Sequence, residues 1–173
     1  MIVGRPFLAA DVISAKVKEL AERISRDYEG KQLVAIGIMK GAFMFFSDLV
    51  RSIRTPLTVD FIIASSYLKD ETCGEVKVHY EVREDIEDRD VLLIDDIVDT
   101  GVTLNYLRER ILMKGPRSLR ICSFLDKAER REVEIPIDYV GFRIPNEFVV
   151  GYGLDYDNRF RNLPYISFFK KTA

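Results

Sequence analysis

The 173-residue chain is 47% hydrophobic, enough for one domain with a full core, and its 26 basic and 28 acidic side chains nearly cancel. That balance supplies no bulk attraction to nucleic acid or to an anionic membrane surface. Two cysteines, Cys73 and Cys122, and a lone histidine, His79, form no zinc-ligand spacing and no redox pair, and no apolar run approaches the ~20 residues of a membrane span.

Residues 1–6 lack the long apolar centre of a secretory signal, so a cytoplasmic protein is expected. From Asp11, residues Ile13, Val17, Leu20, Ala21 and Ile24 recur at helical spacing, and Gly30 supplies a stop. Residues 33–38 read as a short buried strand and 43–53 as a second helix. Phe43, Phe45, Phe46 and Leu49 cover more than one face of that helix, which predicts burial against another subunit in a homodimer or homotetramer. A β-branched strand is expected over 57–64. A polar segment, 65–74, follows it and is too long for a tight hairpin. His79 falls in a charged, alternating stretch, 75–82, as a solvated strand residue. Residues 91–94 and 102–113 repeat the strand-then-helix theme, Gly115-Pro116 ends the helix, and a strand around Ile121 buries the Cys122 thiol.

Alternation of this kind implies right-handed crossovers and an α/β fold with a mainly parallel central sheet flanked by helices. Beyond Lys127 the pattern breaks into short extended pieces at 139–142, 147–152 and 165–169. These predict a small β-rich hood from the chain ends and not a second domain: a core over about 11–126, with hood segments at about 1–10 and 127–173.

The most informative string is Val91-Leu92-Leu93-Ile94-Asp95-Asp96-Ile97-Val98-Asp99-Thr100-Gly101-Val102-Thr103. Four apolar residues in a row bury a strand on both faces, so its carboxyl end opens into the crevice where ligands of such sheets bind. Two adjacent carboxylates there need water, a cation or sugar hydroxyls, because an unpaired buried charge costs several kcal/mol. The turn from Asp99 to Thr103 offers backbone N–H groups, two threonine hydroxyls and the positive end of a helix dipole, a cup suited to a phosphate. A lone acid pair could equally cap a helix and face solvent; the acid pair, third acid and Thr-Gly-x-Thr within one strand-turn-helix unit favour the ligand site.

This string resembles the phosphoribosyl diphosphate-binding signature of the type I purine and pyrimidine phosphoribosyltransferases, and most of all their hypoxanthine-guanine branch. The resemblance implies the type I phosphoribosyltransferase fold and Mg²⁺-dependent transfer of a phosphoribosyl group from phosphoribosyl diphosphate to a 6-oxopurine. It implies that Asp95 and Asp96 engage the ribose hydroxyls, directly or through Mg²⁺, that Asp99 is the catalytic base near the purine N7, and that Asp99, Thr100, Gly101, Val102 and Thr103 hold the 5′-phosphate. The first acid is often Glu in this family, so Asp95 reaches one methylene less far.

Other residues enter on the same footing. Gly37-Ile38-Met39-Lys40-Gly41 is weak alone, since a surface lysine between turn glycines reads the same way. It resembles the family's pyrophosphate loop, often built on a non-proline cis peptide before the lysine, which implies pyrophosphate binding by Lys40 and Gly41 with Arg161. Ser66 and Tyr67, in an ordinary polar loop by sequence alone, match the start of the family's closing lid. Lys127 alone is a solvated strand-end lysine and Phe148 alone a core residue. The match of Phe148-Val149-Val150-Gly151-Tyr152-Gly153-Leu154-Asp155-Tyr156 implies that Lys127 donates to the 6-oxo group, Phe148 stacks on the purine and Val149 reads its edge. Asp155 then lies near the exocyclic group and, with Asp95 and Asp96, among the metal ligands. Two alternatives stay open: a relative acting on orotate, uracil, adenine or xanthine, and an RNA-binding regulator on the same scaffold, for which no arginine-rich run speaks.

Overall fold

The structure, a computed structural model, describes residues 2–67 and 75–170. Its elements run β1 (Ile2–Leu8), α1 (Ala10–Asp27), β2 (Leu33–Met39), α2 (Phe43–Ser52), β3 (Leu57–Tyr67), β4 (Glu75–Tyr80), β5 (Asp90–Val98), α3 (Val102–Leu112), β6 (Ser118–Asp126), a 3₁₀ turn (Ala128–Arg130), β7 (Tyr139–Arg143), β8 (Val149–Val150) and β9 (Ile166–Lys170). A six-stranded sheet has the order β4-β3-β2-β5-β6-β7, parallel except for β4, and a three-stranded antiparallel sheet has the order β1-β9-β8. The first sheet carries the core expected of the α/β class, and the second is the hood.

The uninterrupted apolar runs of β2 and β5 follow from cover on both faces. Leu33 and Ala35 of β2, with Leu92 and Ile94 of β5, pack with Ile13 and Val17 of α1 and Phe45 of α2. Their alternate neighbours Val34, Ile36, Val91 and Leu93 pack with Leu104 and Leu107 of α3. Phe45, Phe46 and Leu49 are thus spent inside the chain, and of the α2 residues read as an intersubunit face only Phe43 stays 38% exposed.

Several boundaries move. Strand β3 runs on through Ser66 and Tyr67, whose backbones pair with Val76 and Glu75, so the segment expected to start the lid is strand at this point. The remainder of the expected loop, 68–74 with Cys73, falls outside the described residues. Strand β5 does not end at the acid pair: Ile97 and Val98 still pair with Leu125 and Asp126. Residues 139–143, expected in the hood, form β7 and extend the main sheet beside β6. A short extended pattern names a strand but not its sheet. Strand β1 was not legible, because Gly4 and Pro6 dilute its pattern and its pairing to β9 shifts register around Pro6. His79 is an exposed residue of β4, as expected, and its Nε2 lies 2.8 Å from Ser65 Oγ.

Candidate active site

Strands β2 and β5 are parallel neighbours, with Gly37 opposite Ile94, but the chain leaves β2 towards β3 and β5 towards β6. The sheet order therefore reverses between them, and the crevice beyond their carboxyl ends is where an open α/β sheet binds ligands. Lys40 and Gly41 leave β2 there, across a cis bond between Met39 and Lys40. Asp95 and Asp96 lie near the end of β5, and residues 99–101 carry the chain into α3.

The acid pair is more enclosed than a strand-end pair needs to be. Asp95 is only 9% exposed and Asp96 is half-buried. Each carboxylate accepts from the next backbone amide, Asp96 N–H to Asp95 Oδ1 and Ile97 N–H to Asp96 Oδ1, both at 3.0 Å. Burial raises both carboxyls above the ordinary range, and the charge of Asp96 pushes Asp95 further. The Arg161 guanidinium pulls Asp96 the other way without reversing the shift.

Backbone closeness ties this pair to the Lys40-Gly41 loop and the hood. A Cβ on Gly41 would overlap Asp96 Oδ2, and a Cβ on Gly153 would overlap the Gly41 carbonyl oxygen. Gly153 has φ +101°, so the left-handed backbone and the missing side chain are both required there. Arg161 donates to the Gly153 carbonyl at 2.7 Å and pairs with Asp155 at 2.7 Å. Lys40, Gly41, Asp96, Gly153, Asp155 and Arg161 thus form one connected patch.

The turn after β5 is a second patch. Gly101 has φ +87°, and a Cβ on it would lie 2.6 Å from the Val133 carbonyl oxygen. The Thr100 carbonyl accepts from the backbone amides of Glu132 and Val133, at 2.9 and 3.0 Å. The turn is held from behind, while the first amides of α3 have no intrahelical partner and carry the positive end of the helix dipole. Val102 N–H lies 3.4 Å from Thr100 Oγ1, and Thr103 follows in the first turn of the helix.

Asp99 opens that turn and is met by two cations from the segment after β6. Its Oδ2 lies 3.2 Å from Arg130 Nη1 and 3.7 Å from Lys127 Nζ. Lys127 is 6% exposed, far from the solvated strand-end lysine that its position suggests, and its own N–H donates to the Val98 carbonyl. The hood contributes Phe148, 49% exposed, in edge contact with Tyr156 and Phe169, while Val149 is buried in β8. None of these site residues lines the cavity of about 540 Å³ between α1, α2 and Tyr152.

The donor set suits a hard divalent cation. Asp95 and Asp96 present carboxylate oxygens whose burial leaves them short of positive charge, and Mg²⁺ keeps several of its waters and needs few protein ligands. Asp155 does not join them: among the described residues no three acidic, histidine or cysteine side chains gather around one point. Sequence reasoning missed Arg130, Val133 and the role of Gly153. Gly153 lay within the matched string; Arg130, one charge in a polar run, gave no signal.

A buried strand delivering acids and a phosphate cup to a switch point, with a basic loop beside it, defines a sugar-phosphate transferase site. The sequence model of the phosphoribosyl transferase domain matches residues 7–157, and the chain belongs to that family. Among its relatives, a hypoxanthine phosphoribosyltransferase of Salmonella typhimurium is 46% identical over 157 residues, covering 89% of this chain and 88% of the relative. A hypoxanthine-guanine phosphoribosyltransferase of Streptococcus mutans is 44% identical over 172 residues, covering 99% of this chain and 96% of the relative. The crystal structure of a hypoxanthine-guanine phosphoribosyltransferase from Bacillus anthracis, with a HEPES molecule in its active site, superposes with a TM-score of 0.94 at 42% identity, covering 98% of this chain and 100% of that one.

Proposed function

We propose that the chain joins hypoxanthine or guanine to phosphoribosyl diphosphate, releasing pyrophosphate and forming IMP or GMP in purine salvage. The observation that carries this reading is the buried Lys127 held 3.7 Å from Asp99 at the mouth of the phosphate turn. A cation beside a carboxylate matches the two edges of a 6-oxopurine, whose oxygen accepts and whose ring nitrogen releases a proton.

The C1′–oxygen bond to pyrophosphate breaks with its electron pair, leaving positive charge on the ribose. The purine N9 forms the new bond to C1′, and the ring proton passes to Asp99. Lys40, the Gly41 amide and Arg161 hold the departing pyrophosphate, while the amides and hydroxyls from Thr100 to Thr103 hold the 5′-phosphate and so fix C1′. Asp95 and Asp96 hold the ribose diol. Asp95 and Asp96 are the candidate ligands for Mg²⁺, which would supply charge neutralisation on the diphosphate. Lys127 donates to the 6-oxo group and so disfavours a 6-amino base. Phe148 stacks on the ring and Val149 offers backbone groups to its edge. Ser66 and Tyr67 belong to the lid in the same reading, and both sheets act as one catalytic unit.

A spectrophotometric panel of hypoxanthine, guanine, xanthine, adenine, uracil and orotate, with phosphoribosyl diphosphate and Mg²⁺, tests the assignment. Turnover is expected with hypoxanthine and guanine and lost with EDTA; turnover confined to adenine or a pyrimidine would overturn it. The reading includes a homodimer or homotetramer, with Phe43, Val59 and Phe61 as exposed apolar groups available to a second copy. A light-scattering mass of one chain at working concentration would refute that part. No helix among the described residues is long and apolar enough to cross a membrane.

A further inference from the structure

Asp99 is the meeting point of two cations, and only one of them has a place in the reaction just described. Arg130 is the other. It ends the 3₁₀ turn Ala128–Arg130, and the turn is fixed on both sides. Lys127 N–H donates to the Val98 carbonyl before it, and Glu132 and Val133 donate to the Thr100 carbonyl after it. Arg131 adds an ion pair to the buried Asp126. The backbone that carries Arg130 is therefore clamped to the strand end and turn that carry Asp99, so the guanidinium is presented from a rigid element.

Both cations address the same oxygen. Arg130 Nη1 lies 3.2 Å from Asp99 Oδ2 and Lys127 Nζ lies 3.7 Å from it, while Oδ1 is buried with no hydrogen-bond partner among the described residues. The shorter distance belongs to the residue with the more exposed side chain, 45% against 7%. We propose that Arg130 is a positioning residue for base binding: it occupies Oδ2 and keeps the buried Lys127 ammonium from closing onto the carboxylate. Without the guanidinium, Lys127 and Asp99 are a buried cation and a carboxylate with no competitor, and a close pair between them would have to be broken by each arriving base. The proposal rests on the base-binding reading of Lys127 and Asp99. Arg130 works through that pair and touches no reacting atom.

The test is steady-state kinetics on Arg130→Ala, Arg130→Lys, Asp99→Asn and the double variant Arg130→Ala/Asp99→Asn, each checked for an unchanged melting temperature. In Arg130→Ala the KM for hypoxanthine should rise about fivefold, the scale of a partly exposed ion pair. Its kcat should fall by less, and the KM for phosphoribosyl diphosphate should not move. Arg130→Lys should restore most of the loss. On the Asp99→Asn background, where no carboxylate remains for Lys127 to close on, Arg130→Ala should leave the base KM alone, as a double-mutant cycle reports. An unchanged base KM in Arg130→Ala, equal shifts for both substrates, or an undiminished effect in the double variant overturns the proposal. Full turnover by Asp99→Asn alone would instead sink the proton-acceptor reading, so the two failures are separable.

Discussion

Asp95 and Asp96 sit within one stretch of chain with Asp99, yet in opposite electrostatic company. The β5 pair is enclosed, with backbone amides for partners and carboxyls pushed above their ordinary range by burial. Asp99, in the following turn, is half-exposed and already faces Arg130 and Lys127. The first arrangement is costly until a ligand or cation arrives; the second is compensated in the free protein. In the proposed reaction the pair attracts positive charge and Asp99 accepts a proton, two roles that call for different surroundings, and one strand-turn unit supplies both.

The strongest way to break this contrast is to remove the acceptor while keeping its shape. Asp99→Asn should lower kcat with hypoxanthine by about 10² to 10⁴, the usual range for a general base, with little change in melting temperature. Single-turnover rates check it, and a full rate would place proton transfer elsewhere. Gly41→Ala comes next: the added methyl must displace the Asp96 carboxylate or the loop itself. A shift of about 1 Å costs on the order of 10² in rate, so a comparable fall in kcat/KM for phosphoribosyl diphosphate is expected. Lys127→Gln should raise the KM for hypoxanthine about tenfold and narrow the preference over adenine, because an amide is a weaker donor to the 6-oxo group than an ammonium.

The smallest effect concerns stability and has the opposite sign. A carboxyl raised above its unfolded value of 3.8 contributes most below that pH and loses its contribution as pH rises through the folded value. The buried Asp95 carboxyl therefore contributes less to the free protein at neutral pH than it does below pH 3.8. Asp95→Asn, neutral throughout, should melt about 3 °C higher than the parent at pH 7.5 in chelator without substrate, with the gain fading towards pH 4. Calorimetry across that range decides it, and a pH-independent gain would point to packing instead of charge.

The same contrast explains what could be read in advance. The apolar run, acid pair and Thr-Gly-x-Thr turn are contiguous, so one local pattern named the strand and the turn after it, though the strand runs on to Val98, and the chain's alternation of strand and helix named the sheet. Lys127 and Phe148 were each ambiguous in isolation and became interpretable through the family's motif over Phe148 to Tyr156. What stayed hidden depends on chain segments meeting in space. Arg130 meets Asp99 on a segment that Lys127 N–H fastens to Val98 and that Glu132 and Val133 fasten to Thr100. The burial of Lys127, the place of Tyr139–Arg143 in the main sheet and the extension of β3 through Tyr67 are likewise tertiary, invisible to periodicity.

The contact between Gly41 and Gly153 has a consequence for how this enzyme can diverge. Two loops, one proposed to grip the leaving group and one to flank the base, are separated by bare main chain, so no side chain is available there to adjust one without the other. Drift towards a new nucleobase through this seam requires paired changes, whereas the Lys127–Arg130 side offers single replaceable groups. Laboratory selection for altered base choice should accumulate substitutions on the latter flank and leave both glycines untouched.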